Sequence, residues 1–253
     1  MLKKVTNWID ENELKNIYSS DYWNNIEIEK NKEWYIENGD FEKCLEYLNK
    51  NLMKEYLSSE KYIINFSNKR KLKIADLASG IGWTSTLISK LDIVEEVHAV
   101  EISKHRIGKL FEECIKMLDG RKDKIFRYLG SFYDLKFEDK SLDILYLSQA
   151  FHHADAPLKL LIECDRVLKN NGRIILVGEH FISTKLIIRR FIYNLIKKKQ
   201  INFNFFEMFP PDPVSGDHYY RVSDYVFMFK SLGYSLTYER MNNGNCIYIA
   251  DKE

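Results

Sequence analysis

The hydrophobic rhythm of the chain changes near residue 70. Before that point apolar positions recur at helical spacing. In FEKCLEYLNKNLMKEYLSS they fall at 41, 45, 48, 52, 53, 56 and 57, which is one face of a helix. Residues 8–66 therefore read as helical, with Gly39-Asp40 supplying a break and an N-cap before that stretch. The segment is rich in aromatics, among them Trp8, Tyr18, Tyr22, Trp23, Trp34 and Tyr35. They are expected to be mostly core, with one or two closing over a ligand.

From residue 72 the apolar runs shorten to strand length: LKIADLAS, EEVHAVEI, IFRYLG, SLDILYLSQ and NNGRIILVGE. Helical patterns separate them in GWTSTLISKL, in SKHRIGKLFEECIKML with Ser103 as its cap, and in APLKLLIECDRVLKN with Pro157 near its first turn. Strands alternating with helices at this spacing predict βαβ units and a parallel sheet covered on both faces. After 180 the alternation is interrupted by HFISTKLIIRRFIYNLIKKKQINFNFF, an inserted helical segment, and by the loop MFPPDPVSGDH. RVSDYVFMFKSLG then predicts a helix ending at Gly233. YSLTYER and NCIYIADK, joined by Asn242-Asn243-Gly244, predict an antiparallel hairpin on the sheet edge.

Composition narrows the function classes. Hydrophobic residues make up 45 % of 253 and charged residues 30 %, enough for a real core. A net charge of +1 gives no general attraction to nucleic acid. The four cysteines, Cys44, Cys114, Cys164 and Cys246, form no CxxC pair, so neither a zinc knuckle nor a disulfide framework is indicated. The opening MLKKVTNWIDENELKN has no apolar stretch of signal-peptide length, and no window has the roughly 18 apolar residues of a membrane span. A cytoplasmic setting without stable membrane insertion is expected. The stretch IIRRFIYNLIKKK is basic, aromatic-bearing and amphipathic; it suits a membrane surface, an anionic substrate, or an ordinary lid helix with solvated charges.

The chemistry concentrates at IADLASGIGWTS, residues 74–85, where a strand ends in Asp76 and glycines follow at Gly80 and Gly82. Such a turn admits a phosphate, a nucleoside, or nothing beyond a tight bend. Glu101 ends the next strand, 25 residues beyond Asp76, where a carboxylate accepts hydrogen bonds from ribose hydroxyls. The dinucleotide pattern GxGxxG is not met. Asp76 before the turn repels a pyrophosphate and suits a ligand that carries an ammonium group, which points to an amino-acid-bearing nucleoside.

At these residues the chain resembles the class I S-adenosylmethionine-dependent methyltransferases. IADLASGIG matches the family's first motif, with Ala78 where a glycine is usual; HAVEIS matches the segment with the ribose-binding acid. SLDILYLSQAFHHADAP matches the strand-four motif and RVLKNNGRIILVGE the strand-five motif, so the likeness covers about 72–180. The resemblance implies a Rossmann-like, seven-stranded, mostly parallel sheet with an antiparallel terminal hairpin. It divides the chain into an N-terminal helical cap, 1–66, and an S-adenosylmethionine-binding domain, 67–253, with a lid insertion at about 181–217. It places the cofactor against Asp76, Ala78, Gly80, Gly82, Trp83, Thr84, Glu101, Ile102, Ser131, Phe132, Ser148, Gln149 and Ala150. After strand three the family often has Gly-Asp, whose acid holds the adenine amino group. Here the run is Gly130-Ser131-Phe132-Tyr133-Asp134, so Ser131 is left to hydrogen-bond, Phe132 to stack, and Asp134 to serve from further along.

Methyl transfer from a sulfonium requires positioning and desolvation, and a hydroxyl acceptor requires a base. The candidates are His152, His153, His180 and His218, with His218 first because SGDHYYR gathers an acid, two phenols and a guanidinium, then His180 and His153. No Asp, Glu or His cluster at ligand spacing indicates a metal, so none is expected. The expected partner is a small-molecule substrate; the chain's oligomeric state is left open. The tail from PPDPVSGDHYYR onward resembles methyltransferases of surface-polysaccharide synthesis. That likeness implies O-methylation of a sugar hydroxyl, nucleotide-linked sugars included, with phosphates meeting Arg189, Arg190 or Arg221. The alternatives are a small aromatic or lipid-like, quinone-type acceptor, and a non-catalytic cofactor-binding partner subunit.

Overall fold

In a computed structural model, which describes residues 2–17, 20–36, 39–66, 68, 70–198, 201 and 203–252, a mixed sheet carries the whole architecture. Tyr18 and Lys199 lie outside the described residues. The strands are β1 (Thr6–Asn7), β2 (Leu72–Leu77), β3 (Val94–Glu101), β4 (Ile125–Leu129), β5 (Leu142–Ser148), β6 (Leu168–His180), β7 (Tyr234–Arg240) and β8 (Asn245–Lys252). Among the described residues they form one eight-stranded sheet in the order β1-β4-β3-β2-β5-β6-β8-β7. The first six strands pair in parallel, and β8 and β7 close the far side in antiparallel ladders. The chain's path reverses between β2 and β5, so their carboxyl ends form the topological switch point at which ligands bind in open α/β sheets.

The expected parallel sheet with a terminal hairpin is present, with one strand more than the seven implied. The addition comes from the segment read as helical. Thr6 and Asn7 pair with Tyr128 and Leu129, and Trp8 stacks on Tyr128 at 4.4 Å between ring centroids. The rest of that segment is broken into α1 (Glu11–Lys15), α2 (Ser20–Trp23) and α3 (Ile26–Lys30), followed by α4 (Glu42–Tyr47) and α5 (Met53–Ile64) joined through a π turn. Asp40 is not a cap: the residue before α4 is Phe41, which makes no side-chain cap bond.

The remaining helices are α6 (Trp83–Ser89), α7 (Phe111–Leu118), α8 (Pro157–Val167), α9 (Thr184–Tyr193), α10 (Phe205–Met208) and α11 (Val222–Ser231). Ser103 caps its helix as expected, its hydroxyl accepting from the Arg106 N–H at 3.4 Å. Pro157 opens α8, where a missing N–H costs nothing. That helix ends at Val167 rather than at Asn170, because Leu168 already pairs with Leu142.

Each sheet face buries a separate core. One packs Ile74, Val97, Tyr146 and Ile175 against the N-terminal helices, α6 and α7. The other packs Leu77, Leu145, Leu176 and Tyr248 against α8 and α11. The N-terminal segment thus supplies Ile36, Leu48, Tyr56 and Ile63 to the sheet's own core. Among the described residues no helix is long and apolar enough to cross a membrane.

Candidate active site

A cavity of about 710 Å³ opens at the carboxyl ends of β2, β3, β4 and β5. Its floor is the turn between β2 and α6. Gly80 lies at φ +56°, and a Cβ built on it meets nothing within 4 Å, so the backbone there is open to a close approach. Gly82 serves packing instead: its Cβ would sit 2.2 Å from the Phe111 ring, and it does not line the cavity. Ala78, where the family carries glycine, adopts φ +54°. Gln149, on the opposite side of the switch point, adopts φ +53°. Two non-glycine residues in the left-handed region flank one site, each at a cost of about 1–2 kcal/mol.

Ala78, Gly80, Trp83, Thr84, Glu101 and Ile102 line the cavity, and so do Ser131, Phe132, Ser148 and Gln149. Glu101 is buried. One carboxylate oxygen accepts the Gly80 N–H at 2.7 Å and the other accepts the Ser103 N–H at 2.8 Å, which fixes the carboxylate and leaves each oxygen a further lone pair. Gln149 is held from behind: its Nε2 donates to Glu55 at 2.8 Å, and Asn243 and Asn245 donate to the same carboxylate at 2.6 and 2.7 Å. Nothing in the sequence marks that three-amide cradle, because its members come from α5, the end of β5 and the β7–β8 turn.

Two expected cofactor residues sit below the cavity rather than in it. Ala150 is buried in the core beside Phe151. Asp76 is also buried, and one carboxylate oxygen accepts the Thr84 and Ser85 hydroxyls at 2.6 and 2.5 Å. Burial pushes its carboxyl up to about 6, against the pull of those two hydroxyls. Its other oxygen is buried without a partner, as are the hydroxyls of Ser79 and Ser148, which line the cavity. A buried polar atom without a partner is uncommon. The two that line the cavity, at Ser79 and Ser148, together with an open glycine turn and a fixed carboxylate, fit a ligand that has its own donors and acceptors, as an amino-acid-bearing nucleoside has.

The walls come largely from the N-terminal helices. Trp23, Trp34, Tyr22, Tyr47 and Leu48 line the cavity. Arg106 holds them in place: its guanidinium forms a bidentate pair with Glu29 at 3.0 and 2.6 Å and lies 4.9 Å from the Trp23 ring. Trp34 donates its indole N–H to the same Glu29 at 2.7 Å.

The histidines separate into distinct roles. His153 lines the cavity, 4.9 Å from the Trp23 ring, with its Nδ1 2.9 Å from Asp217 Oδ1. The contact is out of line for a straight hydrogen bond, as catalytic pairs often are before substrate tightens them. Burial alone would raise the Asp217 carboxyl, but the His153 imidazole and Ser215 outweigh it and hold it well below the usual carboxylate range. His152, also at the cavity, pairs through Nδ1 with the fully buried Glu179 at 3.1 Å. Burial alone would lower the His152 pKa; the Glu179 carboxylate turns the net shift upward. His218, favoured from sequence, does not line the cavity; its N–H donates to the His152 carbonyl at 2.7 Å, so it braces that loop. His180 lies behind His152 and stacks on Tyr219 at 4.9 Å. Asp217 neighbours His218 in the chain but faces His153, 64 residues away.

Among the described residues, His152, His153 and Asp217 bring three ligand-type atoms within 4.8 Å of one another, a cluster that no spacing along the chain reveals. The expected phosphate-binding arginines do not reach the cavity. Arg221 is engaged with Asp224 at 2.7 Å, and Arg190 lies over Phe209.

Residues 75–176 match a family described as a methyltransferase domain. Three curated proteins illustrate the likeness. An uncharacterized methyltransferase of Schizosaccharomyces pombe is 29 % identical over 147 residues, 56 % of this chain and 52 % of that one. The sarcosine/dimethylglycine N-methyltransferase of Aphanothece halophytica is 31 % identical over 40 % of this chain and 35 % of its own. The demethylmenaquinone methyltransferase of Thermotoga maritima is 30 % identical over 42 % of each. The chain thus spans about half or less of the length of these relatives. Among solved structures, magnesium protoporphyrin IX methyltransferase from Synechocystis with bound SAH superposes with a TM-score of 0.63 at 14 % identity, over 92 % of this chain and 97 % of that one. A SAM-dependent methyltransferase from Aquifex aeolicus gives 0.54 at 15 % identity, over 77 % and 89 %.

Proposed function

Because residues 75–176 carry a class I S-adenosylmethionine-dependent methyltransferase domain, with S-adenosylmethionine as its cofactor, we propose that this protein methylates a hydroxyl group on a small, largely apolar or aromatic acceptor. The observation that carries this reading is the His153–Asp217 pair at the rim of an aromatic-walled cavity that also contains the β2–α6 turn. Glu101 would accept the ribose hydroxyls, the Gly80 backbone would let the nucleoside close, and Ile102 and Phe132 would flank its ring. The cofactor, when bound, supplies an activated methyl group on a sulfonium sulfur. The chain's own residues then have two tasks. Trp23, Trp34 and Tyr47 exclude water and orient the acceptor. His153 takes the acceptor's hydroxyl proton as the new O–CH₃ bond forms, and Asp217 stabilises the imidazolium that results.

Aromatic walls favour the quinone-type alternative over a nucleotide-linked sugar, since Arg189, Arg190 and Arg221 stand away from the cavity. The sugar-hydroxyl reading keeps one support, the polar Asp155 and Lys159 at the cavity mouth. A panel of phenolic, quinol and glycoside acceptors, assayed with His153→Asn, Asp217→Asn and His218→Asn, tests the proposal. Turnover should fall roughly 10²–10⁴-fold in His153→Asn, fall less in Asp217→Asn, and stay near wild type in His218→Asn, with cofactor affinity unchanged in all three. A His153→Asn enzyme with normal turnover removes the base. Chelator treatment is expected to leave the rate unchanged; a loss restored by a divalent cation would assign His152, His153 and Asp217 to a metal instead.

A further inference from the structure

Between β6 and the catalytic rim the chain makes an excursion that the methyltransferase reading does not use. α9 buries none of its residues, although its sequence TKLIIRRFIY is more than half apolar. Ile188, Ile192, Ile196, Ile201, Phe203 and Phe206 are 46–78 % exposed. Ile188, Ile192 and Ile196 recur every four residues along α9 and the turn that follows it, and the Phe203 ring stacks back on Phe191 of that helix at 4.8 Å. Soluble monomers rarely leave so many large apolar side chains together in water.

The charge of the segment identifies what covers it. Residues 181–206 contain six Lys and Arg and no Asp or Glu, in a chain whose net charge is +1. Lys185, Arg189, Arg190 and Lys197 are exposed beside the isoleucine stripe. A second protein copy, or a closing lid, would need only the apolar stripe. An unbroken positive charge around it suits a surface that is apolar within and anionic at its boundary.

We propose that α9 and the turn that follows it dock the protein on an anionic lipid bilayer, with Ile188, Ile192 and Ile196 entering the headgroup boundary and Lys185, Arg189, Arg190 and Lys197 meeting lipid phosphates. The inference goes beyond the acceptor reading and does not rest on it. The test therefore uses the full chain without cofactor or acceptor, sedimented with phosphatidylglycerol–phosphatidylcholine vesicles and with pure phosphatidylcholine vesicles. Binding to the anionic vesicles should be roughly tenfold stronger and should weaken in about 0.5 M salt. R189E/R190E should lose the anionic preference, and I188N/I196N should lose most of the binding. Both variants alter exposed positions and should melt as wild type does. Failure to bind, equal binding to both vesicle types, or variants that bind as wild type each overturn the proposal. So does a wild-type dimer in sedimentation equilibrium that I188N/I196N dissolves, because the face would then belong to a second copy.

Discussion

At the scale of single residues, the site is marked by side chains that act against their own preference. Ala78 holds φ +54° where glycine would be free of strain. Replacing it with glycine relieves about 1–2 kcal/mol of left-handed strain and costs about 0.5–1 kcal/mol of extra chain entropy. Ala78→Gly should therefore stabilise the fold by up to about 1.5 kcal/mol, read as a higher urea midpoint with an unchanged slope. A lower midpoint would mean that the alanine methyl makes a contact worth more than the strain. Glu101 and the glycine turn could be read from the sequence because strand, turn and acid keep a fixed order along the chain. The His153–Asp217 pair could not: its partners lie 64 residues apart, whereas the composition of SGDHYYR pointed to His218. Asp76 was legible as important but not in its role, since its type and position do not reveal which way a carboxylate turns once Thr84 and Ser85 offer it hydroxyls.

At the scale of elements, Asp76 links β2 to the first turn of α6, and that link depends on pH. Its pKa in the folded state is about 6, above the value of about 3.9 for an unfolded Asp. The folded state therefore binds the proton more tightly, and Asp76's contribution to stability grows as pH falls from about 6 to about 4. Two pKa units correspond to about 3 kcal/mol at full effect. Wild type should gain on Asp76→Asn by that order as pH is lowered from neutral toward 4 in parallel thermal melts. A constant difference between the two proteins would mean that the carboxyl titrates alike in both states. Helices with a strong signal, such as α8 behind Pro157, were legible from pattern. β1 was not, because two residues carry no period; it forms because Tyr128 and Leu129 present an open strand edge and Trp8 stacks beside it. The aromatic-rich start likewise reads as one helical tract but breaks into short helices, since Glu29 and Trp34 are drawn to Arg106 rather than to a continuous helix axis.

At the scale of the whole molecule, the cavity is roofed from one side. Residues of the N-terminal segment such as Ile9, Ile17, Trp23 and Trp34 line it, whereas among the described residues of the insertion only Ser215 and Asp217 do. Adding S-adenosylmethionine should slow hydrogen exchange across residues 8–40 and leave α9 unchanged. Slowing in α9 as well would restore the insertion to the role of lid, and no slowing in 8–40 would remove the N-terminal roof. The sheet order has a further consequence, for synthesis. β8 lies between β6 and β7 and pairs with both, so a growing chain delivers β7 before the strand it must pair with. Until residues 245–252 emerge, the apolar edge of β6, Ile174 to Val177, stays open to any other extended segment nearby. Slow translation through the turn Asn242-Asn243-Gly244 would prolong that interval, making the codons of the last hairpin a determinant of how much folded protein a cell recovers.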